Sequence, residues 1–341
     1  MTLPRTGDHV EMEVRIPAGR PVTVVSDLHL GDGSPSDAFM GKDRLLMDLI
    51  AEIGAEKGVL VINGDAIDLL QAHDLTPVLK AHGPLLRAIA DLAQRSQVFY
   101  LTGNHDHDLR VYKDFLRWEV AERLWLGDDI VIQHGHQFDP FIGADVKKSG
   151  TFTRVHHAIE RRFGVWLRIP LHDFYTLPNR FTFWLGYRLW RVVALRNKIY
   201  RTIGLKKRAD RSQHYMDYWV QSESGDPMTL TFPALKFGAD SGARAVVCGH
   251  SHMPGNFVRD GVRYVNTGSW TFQQAQVTRI ENGEFQVQDR LSKRVYTDAL
   301  YHTVLSGDLH GLNFERWWRN QYLGWLRFRK GELHRRKSAA R

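Results

Sequence analysis

The sequence predicts an α/β protein, and three observations carry that prediction. Short apolar, often β-branched runs alternate with segments of helical period, and five histidine- or aspartate-bearing motifs stand at the ends of such runs. An Asn282-Gly283 pair joins two alternating stretches near the close of the pattern. Strand, helix, strand at these intervals argues for a sheet whose ligands lie at the carboxyl ends of its strands.

In chain order, Val10 to Ile16 reads as an edge strand, Ala18-Gly19 as a turn, and Pro21 to Ser26 as a strand that ends at Asp27-Leu28-His29. From Asp37 to Lys57 apolar residues recur at helical spacing (Leu45, Leu46, Leu49, Ile50, Ile53), with Gly58 suited to the helix end. Val59 to Ile62 is a buried strand leading to Asn63-Gly64-Asp65. Thr76-Pro77 opens a helix running to about Arg95, with proline in its first turn. Gln97 to Leu101 is the next strand and is closed by Thr102-Gly103-Asn104-His105-Asp106. A shorter helical stretch, Tyr112 to Arg123, precedes the strand Asp129 to Gln133, which delivers His134-Gly135-His136. Ala243 to Cys248 delivers Gly249-His250-Ser251-His252. Arg263 to Val265, Gln274 to Ile280 and Glu284 to Asp289 follow, the last two as a hairpin. No internal repeat is evident.

At 341 residues the chain can bury a large core, and 43% apolar with 25% charged residues is ordinary for a globular protein. No window approaches 18 uninterrupted apolar residues, so a membrane-spanning helix is not expected. The first fifteen residues carry Arg5, Asp8, Glu11 and Glu13 without an apolar h-region, which argues against a secretory signal. The single cysteine, Cys248, excludes an internal disulfide and reads as a small buried strand residue. The cytoplasm is the expected compartment. Net charge is +8 but unevenly spread: Asp145 to Arg211 holds 16 Lys/Arg against 4 Asp/Glu, which leaves the rest of the chain at about −4.

Carboxylate, carboxamide and imidazole groups hold hard and borderline divalent metals, and every motif offers one at a strand end. The pooled set is Asp27, His29, Asp65, Asn104, His134, His250 and His252. Singly, an Asp-x-His is more often a turn, and a lone His134 or His250 a satisfied interior histidine; five coincidences in one chain favour a metal centre. The set is too large for one small ion but suits two ions sharing a bridging carboxylate. A pair of metals is the recognised clamp for in-line displacement at phosphorus, so phosphoester hydrolysis is the first expectation. Mn2+ is the first expected metal because the ligands mix oxygen and imidazole, with iron or zinc as alternatives. His136 and His107 stand either behind the ligands or exposed, with exposure preferred for His107. Asp68, Asp106 and Asp139 are placed to orient ligating imidazoles, with helix capping or solvent exposure as the alternative for each.

These residues resemble the calcineurin-like metallophosphoesterases, whose ordered signature is DxH, GD, GNH(D/E), HGH and GHxH. All five blocks are present, in order, over roughly Val22 to Ser269. The resemblance implies a four-layer sandwich, two mixed β-sheets flanked by helices. It also implies that Asp27, His29, Asp65 and His252 hold one metal, that Asp65 bridges, and that Asn104, His134 and His250 complete the second. His105 would be no ligand but would contact the phosphoryl group and donate a proton to the leaving oxygen. A narrower resemblance, to bacterial UDP-diacylglucosamine pyrophosphatases, rests on the SDLHLG start, the HGH-x-FD block and a long basic, aromatic insertion. Enzymes of that branch tend to carry Arg where His105 stands, and here the chain departs from them.

The implied organisation is a phosphoesterase domain at 1–140 and 228–300, a helical insertion or lid at 141–227, and a basic C-terminal segment at 301–341 that holds Trp317, Trp318 and Trp325. In the insertion, Phe163, Trp166, Phe174, Tyr175, Trp184, Tyr187 and Trp190 interleave with Arg161, Arg162, Arg168, Arg188, Arg191 and Arg196. Aromatic bodies with cationic heads suit an anionic membrane surface on the inner face, and Arg161, Arg162, Arg188 and Arg191 are the candidate substrate-binding residues. The same mixture suits single-stranded nucleic acid, or a helical lid with aromatics inside and arginines in solvent. The expected substrate is a lipid-linked or nucleotide-linked phosphoester or pyrophosphate. A nuclease or cyclic-nucleotide phosphodiesterase is the rival, and a scaffold that keeps metal only for folding is the reading least favoured.

Overall fold

The computed structural model describes residues 13–72, 74–107, 109, 118–139, 158–162, 177–213, 227–272 and 274–296. Two mixed sheets lie at its centre. The seven-stranded sheet runs β13(Val295–Tyr296), β12(Glu284–Asp289), β11(Gln276–Glu281), β2(Val22–Val25), β3(Val59–Asn63), β4(Val98–Leu101), β5(Glu119–Ala121). The six-stranded sheet runs β1(Glu13–Ile16), β6(Arg123–Leu126), β7(Ile130–Gln133), β8(Ala245–Cys248), β10(Val262–Asn266), β9(Gly255–Arg259). β2 to β5 are parallel, which is why they read as continuous apolar runs: both faces are covered.

Period 2 along each strand divides the core. Val22, Val24, Val59, Val61, Phe99 and Leu101 face Leu124, Leu126, Ile132, Ala245 and Val247 of the other sheet. Their neighbours Leu60, Ile62, Val98 and Tyr100 point outward against α1(Asp43–Ala55) and α3(Leu75–Ala93). On the far face of the second sheet, Val131, Val246, Cys248 and Tyr264 pack on Leu230, Ala234 and Leu235 of α5(Pro227–Ser241). The result is four layers, helix, sheet, sheet, helix. Each fully buried aliphatic side chain contributes roughly 1.5–3 kcal/mol by leaving water.

Helix α1 turns Leu46, Leu49, Ile50 and Ile53 to the core at spacings of three and four, with Asp43 in its first turn. It starts at Asp43 and not at the expected Asp37, because the Asp37 carboxylate accepts the backbone N–H groups of Gly31, Gly33 and Phe39 and holds 31–42 as a loop. Helix α3 is capped by Asp74, which accepts the Thr76 N–H at 2.7 Å, and it kinks at His82, two residues before Pro84. The helix expected over Tyr112 to Arg123 is corrected where it is described: Glu119–Ala121 pairs in parallel with β4, and Arg123 opens β6. Sheet pairing overrides local propensity there; residues 111–117 lie outside the described residues. The Asn282-Gly283 hairpin forms, both residues at positive φ (52° and 81°). The short α2(Leu69–Ala72) and the strands β9 and β13 had no clear sequence signal.

From the insertion, the described pieces are 158–162 and 177–213, the latter containing α4(Leu177–Thr202). Most of its aromatic residues and the whole of 301–341 lie outside the described residues. Among those described, no helix is long and apolar enough to cross a membrane.

Candidate metal centre

The loops after β2 and β3 run side by side and extend the ladder of their strands. Asp27 N–H donates to Gly64 O at 3.0 Å, His29 N–H to Asp65 O at 2.9 Å and Leu30 N–H to Ala66 O at 2.9 Å. The ladder carries Leu28 and Leu30 into the core, while Asp27, His29 and Asp65 adopt left-handed backbone (φ 52°, 48° and 51°). His250 and His252 share that conformation (φ 63° and 56°). It costs an L-residue about 1–3 kcal/mol and persists only where the surroundings over-determine it. Two motif glycines supply room: a Cβ on Gly103 would collide with the Asp65 carboxylate, and one on Gly249 would crowd Asp27 and Ser26.

Asp106 secures the third loop from beneath. Its oxygens accept from Gly103 N at 2.7 Å, Ala66 N at 2.7 Å and Tyr100 Oη at 2.6 Å, so it ties two motif loops together and orients no imidazole. The motif side chains converge above this platform. Donor atoms of Asp27, His29 and His252 lie within 4.8 Å of one another, as do those of Asp65, His134 and His250. Asp65 joins the groups: its Oδ2 is 3.2 Å from His134 Nε2 and 4.0 Å from His29 Nε2, while Oδ1 accepts the His105 N–H at 2.8 Å. His252 Nε2 lies 3.1 Å from Asp27 Oδ1 and 3.3 Å from His29 Nε2. A third group, His29, Asp68 and His105, also converges. There the oxygens of Asp68 are taken, one by His29 Nδ1 at 3.3 Å and the other by His105 Nδ1 at 3.1 Å.

The electrostatics demand positive charge. Burial opposes ionisation of Asp65, but His134, His105 and His29 more than offset it and hold the carboxyl well below the usual range. Asp27 is likewise lowered, burial being outweighed by His252 and His134. Burial would lower His134, yet Asp65 and Asp27 push it up to about 10. For His105, burial is overcome by Asp65 and Asp68, and the group rises to about 9. His136, half-buried, is driven down to about 3 by burial and by His134, which outweigh the support from Asp65. The donor set also fits a cation at the level of single atoms. Asp27 Oδ1, Asn104 Oδ1 and His134 Nε2 are buried with no aligned hydrogen-bond partner, a state that costs free energy unless something else satisfies them.

Six of the expected ligands, Asp27, His29, Asp65, His134, His250 and His252, thus converge at the carboxyl ends of β2, β3, β7 and β8, His105 joins His29 and Asp68, and Asn104 follows β4 with its Oδ1 buried. The arginines are placed differently. Arg161 pairs with Asp32 at 2.8 Å and donates to Gln71 O at 3.0 Å, at the rim just beyond His29. Arg162, Arg188 and Arg191 are exposed on the insertion's helical surface. His107 is exposed and Cys248 buried. Sequence reasoning missed the rim: Gln71 donates to Asp32 Oδ1 at 2.5 Å and Ser36 Oγ at 2.8 Å, and His82 is held between Asp37 (3.0 Å) and Asp43 (2.7 Å). No local signal marks these contacts, since the partners lie 35 to 45 residues apart.

Solved structures similar to this chain include a phosphoesterase from E. coli (14% identity, covering 81% of this chain and 96% of that one, TM-score 0.37). An archaeal phosphodiesterase (11%, 79% and 99%, TM-score 0.35) and a conserved uncharacterised protein of Streptococcus pneumoniae TIGR4 (15%, 81% and 92%, TM-score 0.32) are also similar. No curated protein matches. The family model described as calcineurin-like phosphoesterase matches residues 20–254, a span that contains every one of the motifs now seen to converge. The chain belongs to the calcineurin-like phosphoesterase family and is a metal-dependent hydrolase of that type.

Proposed function

We propose that this protein hydrolyses a phosphoester or pyrophosphate with two divalent cations. Asp27, His29, Asp65 and His252 would hold one ion, and Asp65, Asn104, His134 and His250 the other. The observation that carries this reading is the position of Asp65, whose Oδ2 stands between the two imidazole groups, at 4.0 Å and 3.2 Å. Mn2+ is the metal proposed first, for a mixed oxygen and imidazole donor set. Bound cations would oppose the charge of the phosphoryl oxygens and lower the pKa of the attacking water.

His105 is the proposed acid. Asp68 Oδ1 accepts a hydrogen bond from its Nδ1–H, which would leave Nε2 to face the substrate, and the neighbouring carboxylates Asp65 and Asp68 favour the protonated ring. Delivery of a proton from Nε2 to the leaving oxygen is general-acid catalysis, an effect of about 10²–10⁴-fold.

The proposed substrate is lipid-linked or nucleotide-linked and is met at an anionic membrane face. Helix α4 supports this. The arginines spread around it, but Leu185, Leu189, Val192, Leu195, Ile199 and Ile203 are all exposed, between 40% and 66%. At 100° per residue they fall within an arc of roughly 120°. Of the exposed cations, Arg188 and Arg196 fall within that arc, Arg191 and Lys198 to one side of it and Arg201 on the far side. Exposed apolar side chains with arginines among and beside them suit the boundary between acyl chains and phosphate headgroups.

The test is hydrolysis, with Mn2+, of bis-p-nitrophenyl phosphate, p-nitrophenyl phosphate, a cyclic nucleotide and UDP-diacylglucosamine, alongside flotation with anionic vesicles. Turnover of the lipid-linked pyrophosphate with co-flotation is the expected result. Preference for the cyclic nucleotide without flotation would replace the substrate reading. No turnover with two bound ions would favour the scaffold.

A further inference from the structure

The imidazoles of the centre are not all held by the same nitrogen. His134 Nδ1 donates to the Asn63 carbonyl at 2.8 Å, and His29 Nδ1 to Asp68 Oδ2 at 3.3 Å, so each turns Nε2 toward the donor cluster. His250 is held from the opposite end. Its Nε2 lies 3.1 Å from Asp139 Oδ2, with 12% and 11% of the two side chains exposed. A carboxylate can only accept, so this contact requires the proton at Nε2 and leaves the lone pair of the neutral ring at Nδ1. Turning the ring over would put a carbon against the carboxylate and forfeit the bond.

Asp139 is itself outside the donor set. Among the described residues the convergent groups are those named above, and Asp139 belongs to none of them. Its position is rigidly supplied. After β7 delivers His134, Gly135 at φ 107° starts a single 3-10 turn, His136–Phe138, closed by Phe138 N to Gly135 O at 2.9 Å and Asp139 N to His136 O at 3.1 Å. Phe138 packs on Phe237 of α5, ring centres 5.6 Å apart. One short block therefore places a ligand directly, His134, and reaches back with its last residue to a histidine 111 positions on.

We infer that Asp139 is a positioning residue: it holds His250 in the Nε2-protonated form, so that Nδ1 is the nitrogen this histidine offers to metal, unlike His29 and His134. The inference rests on the two-metal reading. A partner behind a ligating histidine is worth about 10–100-fold in metal affinity, so the effect should fall on the ion that His250 serves.

The test uses full-length wild type, Asp139→Ala and Asp139→Asn. Mn2+ binding is followed by the electron paramagnetic resonance of free ion. Long-range 15N–1H correlation spectra of Zn2+-loaded, 15N-histidine-labelled protein report which nitrogen of His250 is protonated, the signal being assigned by its loss in His250→Gln. Expected are two ions in wild type with His250 protonated at Nε2, one dissociation constant raised about 10–100-fold in Asp139→Ala, and substantial recovery in Asp139→Asn, whose carboxamide oxygen still accepts. Unchanged affinities in Asp139→Ala, equal weakening of both ions, or metal at Nε2 of wild-type His250 would each overturn the inference. Should Asp139→Ala not fold, the wild-type spectrum and Asp139→Asn decide. A wild type that binds one ion only would sink the two-metal reading, while the nitrogen shifts of His250 would still settle the part played by Asp139.

Discussion

The motif loops and helix α4 are built on opposite terms. At the loops, carboxylates and imidazoles are buried and five ligand candidates sit in left-handed backbone, because sheets on one side and Asp106 on the other leave them no alternative. On α4, leucines, valine and isoleucines stand exposed among arginines within the described residues. Each region carries a cost that a partner would relieve, carboxylates and imidazoles gathered in a buried site in one and apolar surface in water in the other. The kind of partner follows from the kind of cost: a small, highly charged ion for the first and a broad amphipathic surface for the second.

Removing the shared carboxylate should break the contrast most severely. Asp65→Ala is expected to lose both ions and roughly 10³-fold or more in hydrolysis of bis-p-nitrophenyl phosphate; elemental analysis that still finds two ions would show that Asp65 does not join the groups. Next in size, His105→Ala should lose about 10²–10⁴-fold in turnover while keeping its metal. If its metal content drops with its activity, His105 is a ligand and the proton-donor role falls. Asp68→Asn, which weakens the hold on both His29 and His105, should cost about 10–100-fold, and the alkaline limb of its pH profile, where His105 loses its proton, should move to lower pH.

On the other side of the contrast, Leu189→Asp with Val192→Asp is expected to lower binding to anionic vesicles about thirtyfold or more, since two new negative charges are each repelled by about 1 kcal/mol and apolar area is lost as well, with an unchanged melting temperature. Equal flotation of this variant and wild type would leave α4 without a membrane role. The smallest effect concerns the rim. Burial would lower His82, but Asp37 and Asp43 raise it to about 9, so its contribution to stability is complete below pH 6.5 and is lost as pH rises through 9. The gap in melting temperature between wild type and His82→Asn should therefore be a few degrees at pH 6 and close toward pH 10; a gap independent of pH would contradict the ion-pair account.

How far these regions were legible beforehand differs just as sharply. The strands ending at Asp27, Asp65, Asn104, His134 and His250 were readable because each donor sits within a residue or two of the strand that places it. Contiguous sequence therefore holds both the apolar run and the chemistry. The insertion offered only composition: its arginines suggested no single face, and the apolar stripe of α4 is seen once burial of Asn197 and the partial cover of Val193 and Tyr200 mark the opposite side as inward.

What the sequence by itself determined is the fold class, the order of the five blocks, the residue types that can hold metal, and the concentration of positive charge in one segment. These follow from local hydrophobic period and side-chain chemistry, which need no partner elsewhere in the chain. Only the tertiary structure decided that Asp106 supports backbone, that Asp68 serves two histidines, that Asp139 reaches His250, and that Arg161 ends on Asp32. It also decided that 119–121 and Arg123 are strand where helix was expected. Each of those outcomes depends on a hydrogen bond or ladder between distant segments, and a carboxylate has no preference for one donor over another until the fold brings a particular one within reach.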